Sequence, residues 1–165
     1  MKEIFTRTSV RTYKEEKIEK DKLTLLLKAA MAAPSAGNQQ PWEFCVVTNV
    51  HLLEKLSQSS PYAGCVKNAP AAIIACYNKN RLNMPECADI DMSAAVENIL
   101  LAAEAIELGA VWLGIAPLRE RMDKVNKILS LPKELETFAI IPIGYPQNKQ
   151  PQQNRFDEKR IYYKD

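Results

Sequence analysis

Hydrophobic positions fall into alternating helix-like and strand-like runs. Over residues 19–33, Leu23, Leu26, Leu27, Ala30 and Met31 recur at the i, i+3, i+4 spacing that gives a helix one buried face. Residues 43–48 read as a strand carrying Phe44, Cys45, Val46 and Val47, and 52–58 as a short helix. A second strand spans 69–77, and its unbroken Ala71-Ala72-Ile73-Ile74-Ala75 predicts burial on both faces. The longest helical pattern covers 89–108. Asp89 and Asp91 suit the positive end of its dipole, and Gly109 is the expected stop. Ala94, Ala95, Leu100, Leu101, Ala102, Ala103 and Ala105 leave it apolar nearly all round, as for a helix central in the core or packed against a second subunit. A third strand is predicted over 111–115, a helix over 119–129, and a fourth strand over 138–143 that ends at Gly144-Tyr145-Pro146. Polar 78–88 reads as a loop and candidate lid. The polar tail 147–165, closing on Ile161-Tyr162-Tyr163, reads as extended and in need of something to dock on. The order predicts one mixed α/β domain without repeats.

At 165 residues the chain is long enough for a domain that buries about two thirds of its unfolded surface. Its 22 basic and 20 acidic side chains leave a net charge of +2, without the clustered basic excess of a nucleic-acid footprint. No run approaches the ~18 apolar residues of a membrane span or resembles a signal peptide, so a cytoplasmic protein is expected. Cys45, Cys65, Cys76 and Cys87 are too widely spaced for a Cys-x-x-Cys site. His51 is the only histidine and opens a polar segment, so a zinc site is not expected.

The candidate chemistry lies in loops. Pro34-Ser35-Ala36-Gly37-Asn38-Gln39-Gln40-Pro41-Trp42 joins a helix to a strand. It combines fixed φ at two prolines, a glycine allowing close approach and three amides with paired donors and acceptors. Arg7-Thr8-Ser9-Val10-Arg11, if helical or turn-like, puts two guanidiniums on one face with a hydroxyl between them, a set suited to phosphate. Arg155 is a further unpartnered cation in the tail. The glycine-rich dinucleotide turn and the phosphate loop are both missing, and no nucleophile, base or carboxylate pair stands out. This pattern suits an enzyme whose cofactor performs the chemistry.

These two motifs, followed in order by Gly109-Ala110-Val111-Trp112-Leu113-Gly114 and Ile143-Gly144-Tyr145-Pro146, resemble the FMN-dependent nitroreductase family from about residue 3 to residue 156. The resemblance implies an α+β, three-layer arrangement with a central, mostly antiparallel sheet flanked by helices in a domain-swapped homodimer. Residues 1–165 would form one FMN-binding domain, with 147–165 an arm reaching the partner subunit. Arg7, Thr8 and Ser9 would serve the FMN phosphate and ribityl, with Arg155 closing on the phosphate, and Arg11 would lie near the pyrimidine side. Asn38 would pair with the flavin edge, Pro34, Ser35 and Ala36 would come from the other subunit, and Gly114 and Ile115 would offer a backbone N–H to flavin N5. No side chain is assigned a catalytic role, and no metal is expected.

The implied activity is ping-pong hydride transfer from NADH or NADPH through FMN to a nitroaromatic, quinone or similar small acceptor. The alternatives are a non-turnover redox sensor or flavin reservoir, and a relative with other flavin chemistry such as reductive dehalogenation or flavin fragmentation. Three departures from the family pattern bear on acceptor and donor: Gln153 where a lysine is common, Gly114 where some members carry Glu, and Thr8 in place of Arg or His.

Overall fold

Two strands buried on both faces organise the molecule. The computed structural model describes residues 1–148, 151–152 and 154–164. Its helices are α1 (Lys2–Thr6), α2 (Lys20–Met31), α3 (Val50–Ser57), α4 (Ala88–Ala105) and α5 (Arg119–Leu129). Its strands are β1 (Trp42–Val47), β2 (Ala71–Asn78), β3 (Gly109–Ala110), β4 (Leu113–Gly114) and β5 (Leu135–Gly144). Among the described residues the sheet runs β1-β2-β5-β3, with β4 also on β5. Every strand pair is antiparallel.

The alternation of side chains across a strand divides the core into two layers. Ile73 and Ala75 of β2, with Ala139, Ile141 and Ile143 of β5, meet Leu26 and Ala30 of α2 and Met92, Ala95, Val96 and Ile99 of α4. Ala72, Ile74, Cys76 and Ile140 face the other way, onto Leu53 and Leu56 of α3 and Met122 and Val125 of α5. Each such Ile or Leu contributes about 1.5–3 kcal/mol by leaving water. The expected three-layer α+β arrangement is therefore present, with a sheet covered by helices on both faces.

Three local expectations are corrected. The expected strand over 111–115 is a strand only at β4 (Leu113–Gly114), and a separate β3 precedes it at Gly109–Ala110; Pro142 of β5 faces the gap between them. Proline has no N–H to donate, and the Pro142 carbonyl lies 3.2 Å from the hydroxyl of Tyr13. The ladder therefore pairs at Ala110–Ile143 and resumes only at Leu113–Ile140. Gly109 does not stop α4. Glu107 takes the left-handed conformation (φ 63°), and Leu108 N–H donates to Ala103 O at 2.8 Å, the closure that ends many helices. Gly109 is free to enter β3, where a Cβ would come within 2.7 Å of Val10. Finally, α3 begins before residue 52, because the Asn49 side chain caps it by accepting from His51 N–H and Leu52 N–H.

Candidate functional site

The motif Arg7–Arg11 is not helical. α1 ends at Thr6, Arg7 turns to extended backbone (φ −56°, ψ 127°), and Ser9 then lies parallel to Ala110 of β3. Val10 N–H donates to Ala110 O at 3.0 Å. Val10 is buried, whereas Ser9 and Arg11 are exposed and Thr8 is half-buried. The two arginines therefore share no helix face, and along the extended chain they flank Ser9, Arg11 exposed and Arg7 half-buried. Arg7 is the more enclosed, with its Nε 3.7 Å from a carboxylate oxygen of Glu97 on α4. Among the described residues Arg11 has no ion-pair partner. Its charge reaches Tyr13 and Cys65, pulling both groups down against the larger upward push of burial.

The loop from Pro34 to Pro41 is held by its own polar side chains and by Asp91 of α4, whose part in it the sequence did not show. Gly37, Asn38 and Gln40 all have left-handed φ, at 55°, 55° and 47°. That conformation costs a residue with a Cβ about 1 kcal/mol or more. The loop keeps it because its groups are tied. Gln40 N–H donates to Ser35 Oγ at 3.0 Å, and Gln40 Nε2 to Asn38 Oδ1 at 2.8 Å. Ala36 N–H donates to Asp91 Oδ1 at 2.8 Å, and Gln39 Nε2 to Asp91 Oδ2 at 2.6 Å. Asn38 and Gln40 are exposed and Gln39 is buried. Asp91 is thus more than a helix-start acid. It anchors this loop to α4, on which Glu97 meets Arg7 six residues on, about 9 Å along the axis. An acid in the first turn of an otherwise apolar helix was the only sequence signal for it.

The third contribution comes from the sheet edge. Ile115 N–H and Ala116 N–H both donate to Phe138 O, at 3.1 and 2.9 Å, where a bulge in β5 carries Phe138 out of register with β2. Of the two amides expected to face a ligand, that of Ile115 is therefore taken. In an antiparallel ladder successive residues alternate between facing the partner and facing away. Gly114, between bonded Leu113 and Ile115, consequently points its N–H away from β5. Gly114 is exposed, and a Cβ there would meet only Ala116 O at 4.0 Å. Trp112 stacks on Phe138 behind it, with ring centroids 5.5 Å apart.

These segments separately offer a half-buried guanidinium at Arg7 and an exposed one at Arg11 on either side of a hydroxyl, an exposed amide at Asn38, and at Gly114 an unclaimed backbone N–H with open space above it. That donor set fits an anionic ligand with a flat polar edge, and FMN is such a group. Ser9, Arg11, Asn38 and Gly114 all lie on open surface. A cavity of about 770 Å³ adjoins Thr8 and Val10, but it is lined otherwise by residues such as Lys22, Glu104 and Asn148. Arg155 is exposed and without an ion pair among the described residues, and Gln153 lies outside them. Burial pushes the Cys76 thiol up to about 12 and raises Cys45 and Cys65 as well, so none of the three is held as a thiolate.

The fold defines a three-layer α+β protein with an open sheet edge at β4, and sequence comparison narrows the class. The model of the nitroreductase family matches residues 4–61 and 60–145. A relative from Methanothermobacter thermautotrophicus, provisionally named an NADH dehydrogenase/NAD(P)H nitroreductase, is 40% identical over 159 residues, which cover 96% of this chain and 83% of that one. Among solved structures, a provisionally named NADH oxidase from Clostridium acetobutylicum aligns with a TM-score of 0.95 at 44% identity over 99% of each chain. An FMN-dependent nitroreductase from Clostridium difficile aligns with a TM-score of 0.91 at 30% identity over 100% of this chain and 99% of its own. The chain belongs to the nitroreductase family.

Proposed function

We propose that the protein is an FMN-dependent NAD(P)H oxidoreductase that passes reducing equivalents to a small acceptor such as a nitroaromatic or a quinone. The reading is carried by the unclaimed Gly114 N–H at the sheet edge, with the Arg7–Ser9–Arg11 run along the neighbouring strand. Family membership and the FMN-dependent relative from C. difficile support it. Bound FMN supplies the two-electron chemistry, for which the chain offers no side chain of its own.

Within this reading Arg7 and Ser9 hold the phosphate end, Thr8 backs them, and Arg155 from the tail closes on the phosphate. Arg11 stands by the pyrimidine side, where a guanidinium offsets negative charge gained on reduction. Asn38 pairs with the polar edge of the ring, and Gly114 donates its N–H toward the ring without a side chain in the way. Pro34, Ser35 and Ala36 serve the partner subunit's flavin in a homodimer. The open surface of the single chain supports that dimer, since a second copy is what would enclose the site. One domain over 1–165 with an arm over 147–165 completes the proposal.

The direct test is anaerobic addition of NADH, then NADPH, to the purified yellow protein. The flavin band near ~450 nm is expected to bleach within minutes and to return on adding a quinone. A band that neither donor bleaches would overturn the oxidoreductase reading and leave a flavin-binding protein without turnover.

A further inference from the structure

Gln39 is a buried amide with all of its hydrogen-bonding positions engaged. Its Oε1 accepts from Asn83 N–H and Met84 N–H, both at 2.9 Å. Its Nε2 donates to Asp91 Oδ2 at 2.6 Å and to Met84 O at 3.2 Å. Asp91, 3% exposed, holds Ala36 N–H with its other oxygen at 2.8 Å. Two side chains thus tie three segments: the loop carrying Asn38, the turn at 83–84 and the first turn of α4. Gln39 points inward between two residues in left-handed backbone, so whatever fixes Gln39 also aims Asn38. Met84, exposed, lies beside Gly37, its Sδ 3.8 Å from where a Cβ of Gly37 would stand. A thioether of this kind makes favourable contacts with aromatic rings.

We infer that Gln39 and Asp91 are positioning residues that make the 34–40 loop and the 82–87 turn one rigid unit, so that the turn sets how an aromatic or quinoid acceptor reaches the site. The inference rests on the flavin reading for its ligand but not for its mechanics. A buried amide oxygen that accepts two backbone N–H groups while the amide nitrogen meets a carboxylate leaves neither segment free to shift alone. The 78–88 segment, expected as a lid, is by this account a fixed wall at its 82–87 end.

The test exchanges the two polar groups. D91N sets an amide NH2 against a backbone or side-chain donor, whereas D91N/Q39E restores the pairing between positions 39 and 91 at the cost of setting a carboxylate oxygen against Met84 O, where Gln39 had donated. For D91N we expect the dissociation constant for FMN and the KM for 1,4-benzoquinone each to rise about tenfold, the scale of one lost charge-assisted hydrogen bond. Amide exchange at 35–40 and at 82–87 should accelerate together, and the double variant should recover a measurable part of each loss. A D91N protein that only melts lower, with FMN affinity and KM unchanged, overturns the positioning role. Exchange that quickens in one segment alone overturns the rigid unit. Should D91N fail to fold, the double variant decides: recovery of the fold and of FMN affinity supports the pairing, and failure overturns it. A wild type that binds no FMN overturns the flavin reading instead, and the exchange measurement still judges the clamp.

Discussion

Arg7 already has an anionic partner before any ligand arrives. The 3.7 Å approach to Glu97 is made by a side chain only 19% exposed, so a phosphate must share or displace that carboxylate. R7A should weaken FMN binding by about 1.5–3 kcal/mol, the range of a hydrogen bond to a charged group. E97Q should do the reverse and tighten it by up to about 1 kcal/mol, because a half-exposed pair is screened and worth little. Fluorescence titration with FMN checks both, and an E97Q protein that binds more weakly would make Glu97 a support of Arg7 and not a competitor. At this scale the sequence was half legible. Arginines around a hydroxyl announce an anion site through residue type alone. Which of three neighbouring amides points inward depends on Asp91, which lies 52 positions away, and no local pattern encodes that.

Helices and long strands followed from periodicity, and the misreadings cluster where one element is shaped by another. The strand expected over 111–115 shrinks to β4 because Pro142, opposite its start, lies on a different strand. Gly109 looked like a helix stop because glycine usually takes that role, yet Glu107 takes it and Gly109 is needed to admit Val10. The start of α5 is joined to β5 by a further long-range tie, in which Glu136 receives hydrogen bonds from Arg119 and from Lys79. Burial pushes the Glu136 carboxyl up, and the two cations more than offset it, so that it ends below the usual value of 4.5. A lowered folded value means that this stabilisation is present above the unfolded pKa and is lost as pH falls through the folded one. Both cations are about half exposed, so its size is on the order of 1 kcal/mol. E136Q should therefore lower stability near neutrality and narrow the gap to wild type as pH falls below the usual carboxylate value. Urea unfolding across that window reads it, and an undiminished gap at low pH would refute the tie.

The single chain leaves much apolar surface uncovered. Ile4 and Phe5 on α1, Ile90 on α4, and Phe156, Tyr162 and Tyr163 in the tail are 58%, 59%, 68%, 77%, 83% and 79% exposed. Such surface on two helices and an extended tail is what the proposed homodimer would bury. If it does, the thermal midpoint should rise with protein concentration, since association stabilises by mass action. I90E should lower the midpoint and abolish that dependence. A midpoint independent of concentration, with a monomer in sedimentation, would argue against the dimer. The hydrophobic pattern alone showed a mixed α/β domain, whereas the three layers and the expected homodimer came from the family resemblance, with an apolar helix and a tail with nothing to lie on in keeping with the latter. An open strand edge is ordinarily a template on which another chain can pair and aggregate. By interrupting the ladder, Pro142 limits β4 to two residues, too short to seed a stable intermolecular strand. The Gly114 amide thus stays open on a strand too short to template fibril growth.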